Sequence, residues 1–396
     1  MEDRKIRVAI THGDTNGIGY ELIFKTFAEP EMLELCTPII YGSPKIAAYH
    51  RKAMDTQANF SIINKAEDAQ DGRVNLLACF DDDVKVELGI PTKESGEAAL
   101  KALDRAMTDF RSQLFDVLVA CPVNPDNMSD ANFTYRGLKQ YSETSIGDGA
   151  KAIKMLINES MRIALATDGL AIKDVPSHIT EDLLLAKLRT INEAMKRDFR
   201  LSNPRIGVLA LNSTANGDEE KNIIGPAVCK AADEDINAYG PYAADEYFGE
   251  NIYDAFDVTL AMYDDQAVIP FTTLMQNDGI YYVASLPLVC TAPAQTPDFD
   301  AAGQGISDES ALRHAIFEAI DIVRNRAEYD EPLANPLQKL YHEKRDESEK
   351  VRFAIPKKRE GFRPERKQAP RNDNARPMVE SKPAAESSQA APATNE

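Results

Sequence analysis

The chain has 396 residues, 43% of them hydrophobic, which is more than one ordinary core needs and points to two domains with an additional segment. A formal net charge of −19 disfavours nucleic acid as a partner of the main body, and no apolar run reaches the length of a membrane span. Cys36, Cys79, Cys121, Cys229 and Cys290 are scattered and form no CxxC pair, which argues against a disulfide framework and against a zinc site.

Met1 to Lys5 carries no apolar signal region and runs straight into a strand-like stretch, Ile6 to Thr11, so the expected compartment is the cytoplasm. A glycine-rich turn, Gly13-Asp14-Thr15-Asn16-Gly17-Ile18-Gly19, is followed by a helix through about Phe27. Residues 37–41 read as a second strand, stopped at Gly42-Ser43-Pro44. Between 95 and 113 the apolar positions Ala99, Ala102, Leu103, Ala106, Met107 and Phe110 have helical spacing, and the helix feeds a strand at 116–120. The middle repeats the alternation. Strands are expected at 162–167, 205–212 and 256–263, helices at 181–197 and 219–232, with Pro204 and Gly240-Pro241 as punctuation. A strand at 281–286 and a helix at 309–326 close the pattern. Strands separated by helices predict an α/β protein with a largely parallel sheet.

Beyond about Pro336 the composition changes. Residues 351–396 hold 10 Lys+Arg against 6 Asp+Glu, a net of +4, which leaves residues 1–350 at −23. Residues 343–396 are rich in Lys, Arg, Glu, Pro, Ser and Ala and poor in apolar side chains, the composition of a disordered tail. Its cations, among them Lys357-Lys358-Arg359 and Arg366-Lys367 with Phe353 and Phe362 interleaved, allow weak binding of RNA or an acidic partner.

The turn Thr11-His12-Gly13-Asp14-Thr15-Asn16-Gly17-Ile18-Gly19-Tyr20-Glu21 resembles the N-terminal signature of the NAD-dependent 4-hydroxythreonine-4-phosphate dehydrogenase family. Further segments follow in that family's order: Tyr41-Gly42-Ser43-Pro44, Cys121-Pro122-Val123-Asn124, Ile172-Lys173-Asp174-Val175-Pro176, Leu211-Asn212, Gly240-Pro241 to Asp245, and Ala261-Met262-Tyr263-Asp264-Asp265-Gln266. The resemblance spans roughly residues 5–330. It implies a two-domain fold like that of the isocitrate and isopropylmalate dehydrogenases. The domains are then 1–135 with 286–335, and 136–285 carrying the metal positions, followed by the tail. It also implies a homodimer with its site between domains, and an oxidation followed by decarboxylation that serves pyridoxal phosphate synthesis with NAD and a divalent metal.

The positions that should carry this chemistry are changed. Where the family has three metal-binding histidines, this chain has Asp168, Thr214 and Asp264; its own His12, His50, His178, His314 and His342 lie elsewhere. Two aspartates would suit Mg²⁺ or Mn²⁺ better than Zn²⁺, but a third strong ligand is lacking. The substrate positions read Tyr141 and Ser142 for His and Thr, Thr272 for Lys, Tyr281 for Asn and Cys290 for Arg, while Pro125 replaces a further Lys. Losing these cations removes charge-assisted hydrogen bonds to a phosphate. In the cofactor loop Asp300, Ala302 and Gly303 persist, whereas the His-Gly half is gone and Pro297 removes a backbone donor. The residues therefore predict a degenerate, non-catalytic paralogue. The alternatives are an active metal-dependent NAD oxidoreductase acting on a non-phosphorylated hydroxy acid, and an interaction protein that uses its basic tail.

Overall fold

In the computed structural model, residues 4–80, 84–129, 134–147, 149, 151–274 and 278–336 are described; the expected tail lies outside them. The strands, in chain order, are β1 Ile6–Thr11, β2 Cys36–Gly42, β3 Ser61–Ile63, β4 Asn75–Ala78, β5 Val117–Ala120, β6 Ile153–Ile157, β7 Arg162–Leu165, β8 Arg205–Leu209, β9 Asn237–Tyr242, β10 Val258–Ala261, β11 Ile280–Ala284 and β12 Val289–Pro293. They form one twelve-stranded sheet in the order β3-β4-β2-β1-β5-β12-β11-β6-β7-β10-β8-β9. Pairing is parallel except at β12–β11, β11–β6 and β6–β7, so the largely parallel α/β sheet predicted from the alternation is present.

The central strands are continuous apolar runs because helices cover both faces of the sheet. Every residue of β2 and β5 is buried. The helix Lys93–Arg111 begins with a reciprocal cap between Thr92 and Ser95 and buries Ala99, Ala102, Leu103, Ala106 and Met107, the face its periodicity marked out. The helix Glu181–Arg197 starts where Thr180 accepts the Leu183 N–H and buries Leu184, Leu188 and Ile191 against the sheet. Two local readings need correction. Gly240-Pro241 does not break the chain but lies inside β9, an edge strand, where a missing backbone donor can be tolerated. The last helix does not stop near Arg326; it runs from Ser310 to Ala334.

Chain order and strand order part company in the middle of the sheet. There β12 and β11 return from late in the sequence and insert between β5 and β6. Residues directly opposite one another in paired strands share a face. The pairings Val283–Lys154, Val283–Cys290 and Tyr281–Ala292 therefore place these five side chains on one face at the sheet's centre. The segments that follow β5, β7 and β10 converge over that face and make the cavity described next.

Candidate functional site

A cavity of about 240 Å³ lies at this junction. Its wall includes Tyr281 and Val283 from β11, Lys154 from β6, Asp168 after β7, Asp264 after β10, and Arg136 and Lys139 at the start of the helix Leu138–Ile146. Both lysines and both aspartates are already paired. Lys139 Nζ donates to Asp168 Oδ1 at 3.2 Å and lies 3.5 Å from Glu143 Oε2. Lys154 Nζ is 3.7 Å from Asp264 Oδ1 and 4.9 Å from the centre of the Tyr281 ring, a cation–π contact. The other oxygen of Asp264 accepts the Gly169 N–H at 2.7 Å. These side chains are largely withdrawn from water, with Lys139 only 16% and Lys154 26% exposed. Burial, and then the nearby Asp264 carboxylate, push the Tyr281 phenol upward, so it is neutral at physiological pH. Close by, burial and then the Lys139 charge pull the Lys187 amine below its usual range.

The positions singled out from the sequence do not all meet. Asp168, Asp264 and Tyr281 line the cavity. Thr214 is not among its lining residues and is exposed on the loop after β8. That loop is closed upon itself by the Glu220 carboxylate, which accepts N–H bonds from Leu211, Asn212 and Gly217, each at 2.8 Å. Tyr141 is buried and donates to Asp104 at 2.6 Å. Ser142 and Cys290 are buried 4.0 Å apart, with burial pushing the Cys290 thiol up to about 12, so it is no nucleophile at neutral pH. Thr272 is exposed on the helix Asp264–Leu274 and donates back to the Val268 carbonyl. Asp300, Ala302 and Gly303 lie in the turns after β12, and Gly303 has a φ of +76°, the left-handed region that favours glycine.

The glycine-rich turn is tied up internally. The Asp14 carboxylate accepts from Asn16 N at 2.8 Å, Ser95 Oγ at 3.1 Å and Asn127 Nδ2 at 2.7 Å. At the start of the helix Gly19–Thr26 the Ile18 N–H donates to the Pro297 carbonyl at 3.0 Å. A Cβ at Gly19 would sit 1.9 Å from the His12 carbonyl oxygen. These glycines serve close backbone packing, and the Ile18 donor at this helix start is already used.

The arrangement does not fit a divalent metal. Two carboxylates face the cavity, each beside an ammonium, and among the described residues no group of three or more His, Cys, Asp or Glu is placed to hold an ion. Reading the sequence against a motif missed Arg136, Lys139 and Lys154, because they lie outside the motif positions. One local signal was present: Lys154 is a lone cation in the apolar run Ile153 to Ile157.

The family model described as "Pyridoxal phosphate biosynthetic protein PdxA" matches residues 34–319. The chain belongs to the PdxA family. A 4-hydroxythreonine-4-phosphate dehydrogenase of Bacteroides thetaiotaomicron is 46% identical over 89% of this chain and 98% of its own length. One from a Sulfurihydrogenibium species is 33% identical over 81% of this chain and 99% of its own. The crystal structure of the Klebsiella pneumoniae 4-hydroxythreonine-4-phosphate dehydrogenase superposes with a TM-score of 0.69 at 22% identity, covering 82% of this chain and 99% of that one. Nearly the whole length of that structure is thus matched by about four fifths of this chain, and the expected family and α/β architecture hold. No helix among the described residues is long and apolar enough to cross a membrane.

Proposed function

We propose that this PdxA-family chain keeps the scaffold of the 4-hydroxythreonine-4-phosphate dehydrogenases without their metal-dependent oxidation and decarboxylation. One observation carries the reading: the two carboxylates that face the cavity are each paired with a lysine, and Thr214 lies outside it. A metal that polarises a hydroxyl and stabilises an enolate needs at least three strong ligands and an open coordination position, whereas here two carboxylates stand, each offset by an ammonium, and no group of three or more ligating side chains gathers among the described residues.

The same reading extends to the cofactor. In the loop where the resemblance places the cofactor contacts, Asp300, Ala302 and Gly303 persist, but the His-Gly half is gone, Pro297 offers no backbone donor, and its carbonyl is occupied by the Ile18 N–H. Calorimetric titration of the full-length protein with NAD⁺ should show no saturable heat up to about 1 mM; a stoichiometric isotherm below that concentration would contradict the loss of cofactor binding.

The reading includes a homodimer, two lobes divided at 135/136 and 285/286, a cytoplasmic setting and a tail that contributes only weak electrostatic contacts. Its support is the family's architecture together with the composition of the tail. A second reading, an oxidoreductase acting on a small non-phosphorylated hydroxy acid, is favoured by one feature: the cavity persists, with both signs of charge in its wall.

A further inference from the structure

We infer that the ammonium groups of Lys139 and Lys154 take over the charge-balancing part of a divalent ion, so that the cavity is metal-free by construction. The inference rests on the reading above and deepens it. Two carboxylates lining one cavity of about 240 Å³ need compensation, since unpaired half-buried charges are costly. The structure supplies one ammonium per carboxylate, Lys139 for Asp168 at 3.2 Å and Lys154 for Asp264 at 3.7 Å.

Neither lysine is a loose surface side chain. Lys139 sits at the start of the helix Leu138–Ile146 and spans Asp168 and Glu143. Lys154 projects from the middle of the sheet, anchored over the Tyr281 ring. A divalent ion brought to these aspartates would stand beside two fixed positive charges, and it would take Asp264 from the Gly169 N–H as well. Repulsion at such distances is large compared with thermal energy even in a high dielectric. Two carboxylates with two ammoniums sum to zero where three neutral imidazoles with a dication sum to +2, so the exchange removes the Lewis acid together with two units of positive charge.

Mn²⁺ alone, titrated into the full-length protein and followed by the paramagnetic signal of the free ion, tests this. The wild-type chain should show no saturable site below about 1 mM. Replacing both lysines, as Lys139→Met with Lys154→Met, should uncover a single site at least about tenfold tighter, and adding Asp264→Asn should abolish it. Circular dichroism melts establish that each variant is folded; if the double variant is not, Lys154→Met alone should show the same direction of change. Stoichiometric micromolar binding by the wild-type chain overturns the inference, as does a folded variant that binds no more tightly than wild type. Wild-type Mn²⁺ binding without turnover sinks this inference alone. Turnover without Mn²⁺ binding sinks the proposed loss of activity instead.

Discussion

His12 shows how a family-signature residue can serve packing and hydrogen bonding. It is fully buried, its Nδ1 lies 3.0 Å from the Tyr41 carbonyl and its ring packs 5.2 Å from Tyr20 and 5.6 Å from Phe80. Burial, opposed in part by that hydrogen bond, pulls its pKa down to about 4, and burial moves His50 in the same direction. Because the folded value lies below the unfolded one of about 6.5, the unfolded chain binds more protons between those values. Stability from His12 is therefore complete above pH 6.5 and is lost as pH falls towards 4, by roughly 3 kcal/mol at the limit. Denaturant melts across that window should show the decline, with a shallower slope in His12→Asn; an equal slope would show that His12 does not set it. Legibility at this scale was uneven. Asp168 and Asp264 could be picked out by register with a motif, and they do line one cavity. Lys139 and Lys154 could not, because pairing across 29 and 110 residues of sequence leaves no local periodicity.

Elements were easier to read than their partners. The helix expected at 95–113 from its apolar spacing is found at Lys93–Arg111 and the one expected at 181–197 at Glu181–Arg197, while the central strands are marked by unbroken apolar runs. Short edge strands such as β3, three residues long, carry too little pattern to be seen. What joins the elements was also hidden. Arg326, on the helix Ser310–Ala334, donates through Nε to Asp198 Oδ1 at 2.6 Å and through Nη1 to the Leu286 carbonyl at 2.9 Å. Tyr282 on β11 donates to the other Asp198 oxygen at 2.6 Å. This network fastens the last helix to the end of the helix Glu181–Arg197 and to the strand that forms the cavity wall. Arg326→Met leaves the Asp198 carboxylate buried beside a tyrosine alone. It should cost about 3–5 kcal/mol in urea unfolding; a loss below about 1 kcal/mol would mean that the network is not holding these elements together.

For the whole molecule, composition separates an acidic body from a basic tail, and the described residues, which lie between 4 and 336, belong to one compact unit. Truncation after Tyr341 should leave the melting temperature within about 2 °C of the full chain, since the removed residues carry no apolar periodicity and a loss of 1 kcal/mol shifts a domain of this size by only a few degrees. A drop of about 10 °C would show that the tail packs on the body. The same truncation should remove any salt-sensitive retention on RNA. The family and sheet were legible because motifs in register and βα alternation extend over hundreds of residues. The state of the chemistry was less so, because it depends on which charges face one another. NADH formation from NAD⁺ and 4-phosphohydroxy-L-threonine, with Mg²⁺, Mn²⁺ or Zn²⁺ added, tests the account most directly, with the Bacteroides thetaiotaomicron relative assayed alongside. The account predicts no turnover above the enzyme-free control for this chain under conditions where the relative is active, whereas steady NADH production that scales with the concentration of this chain would contradict it.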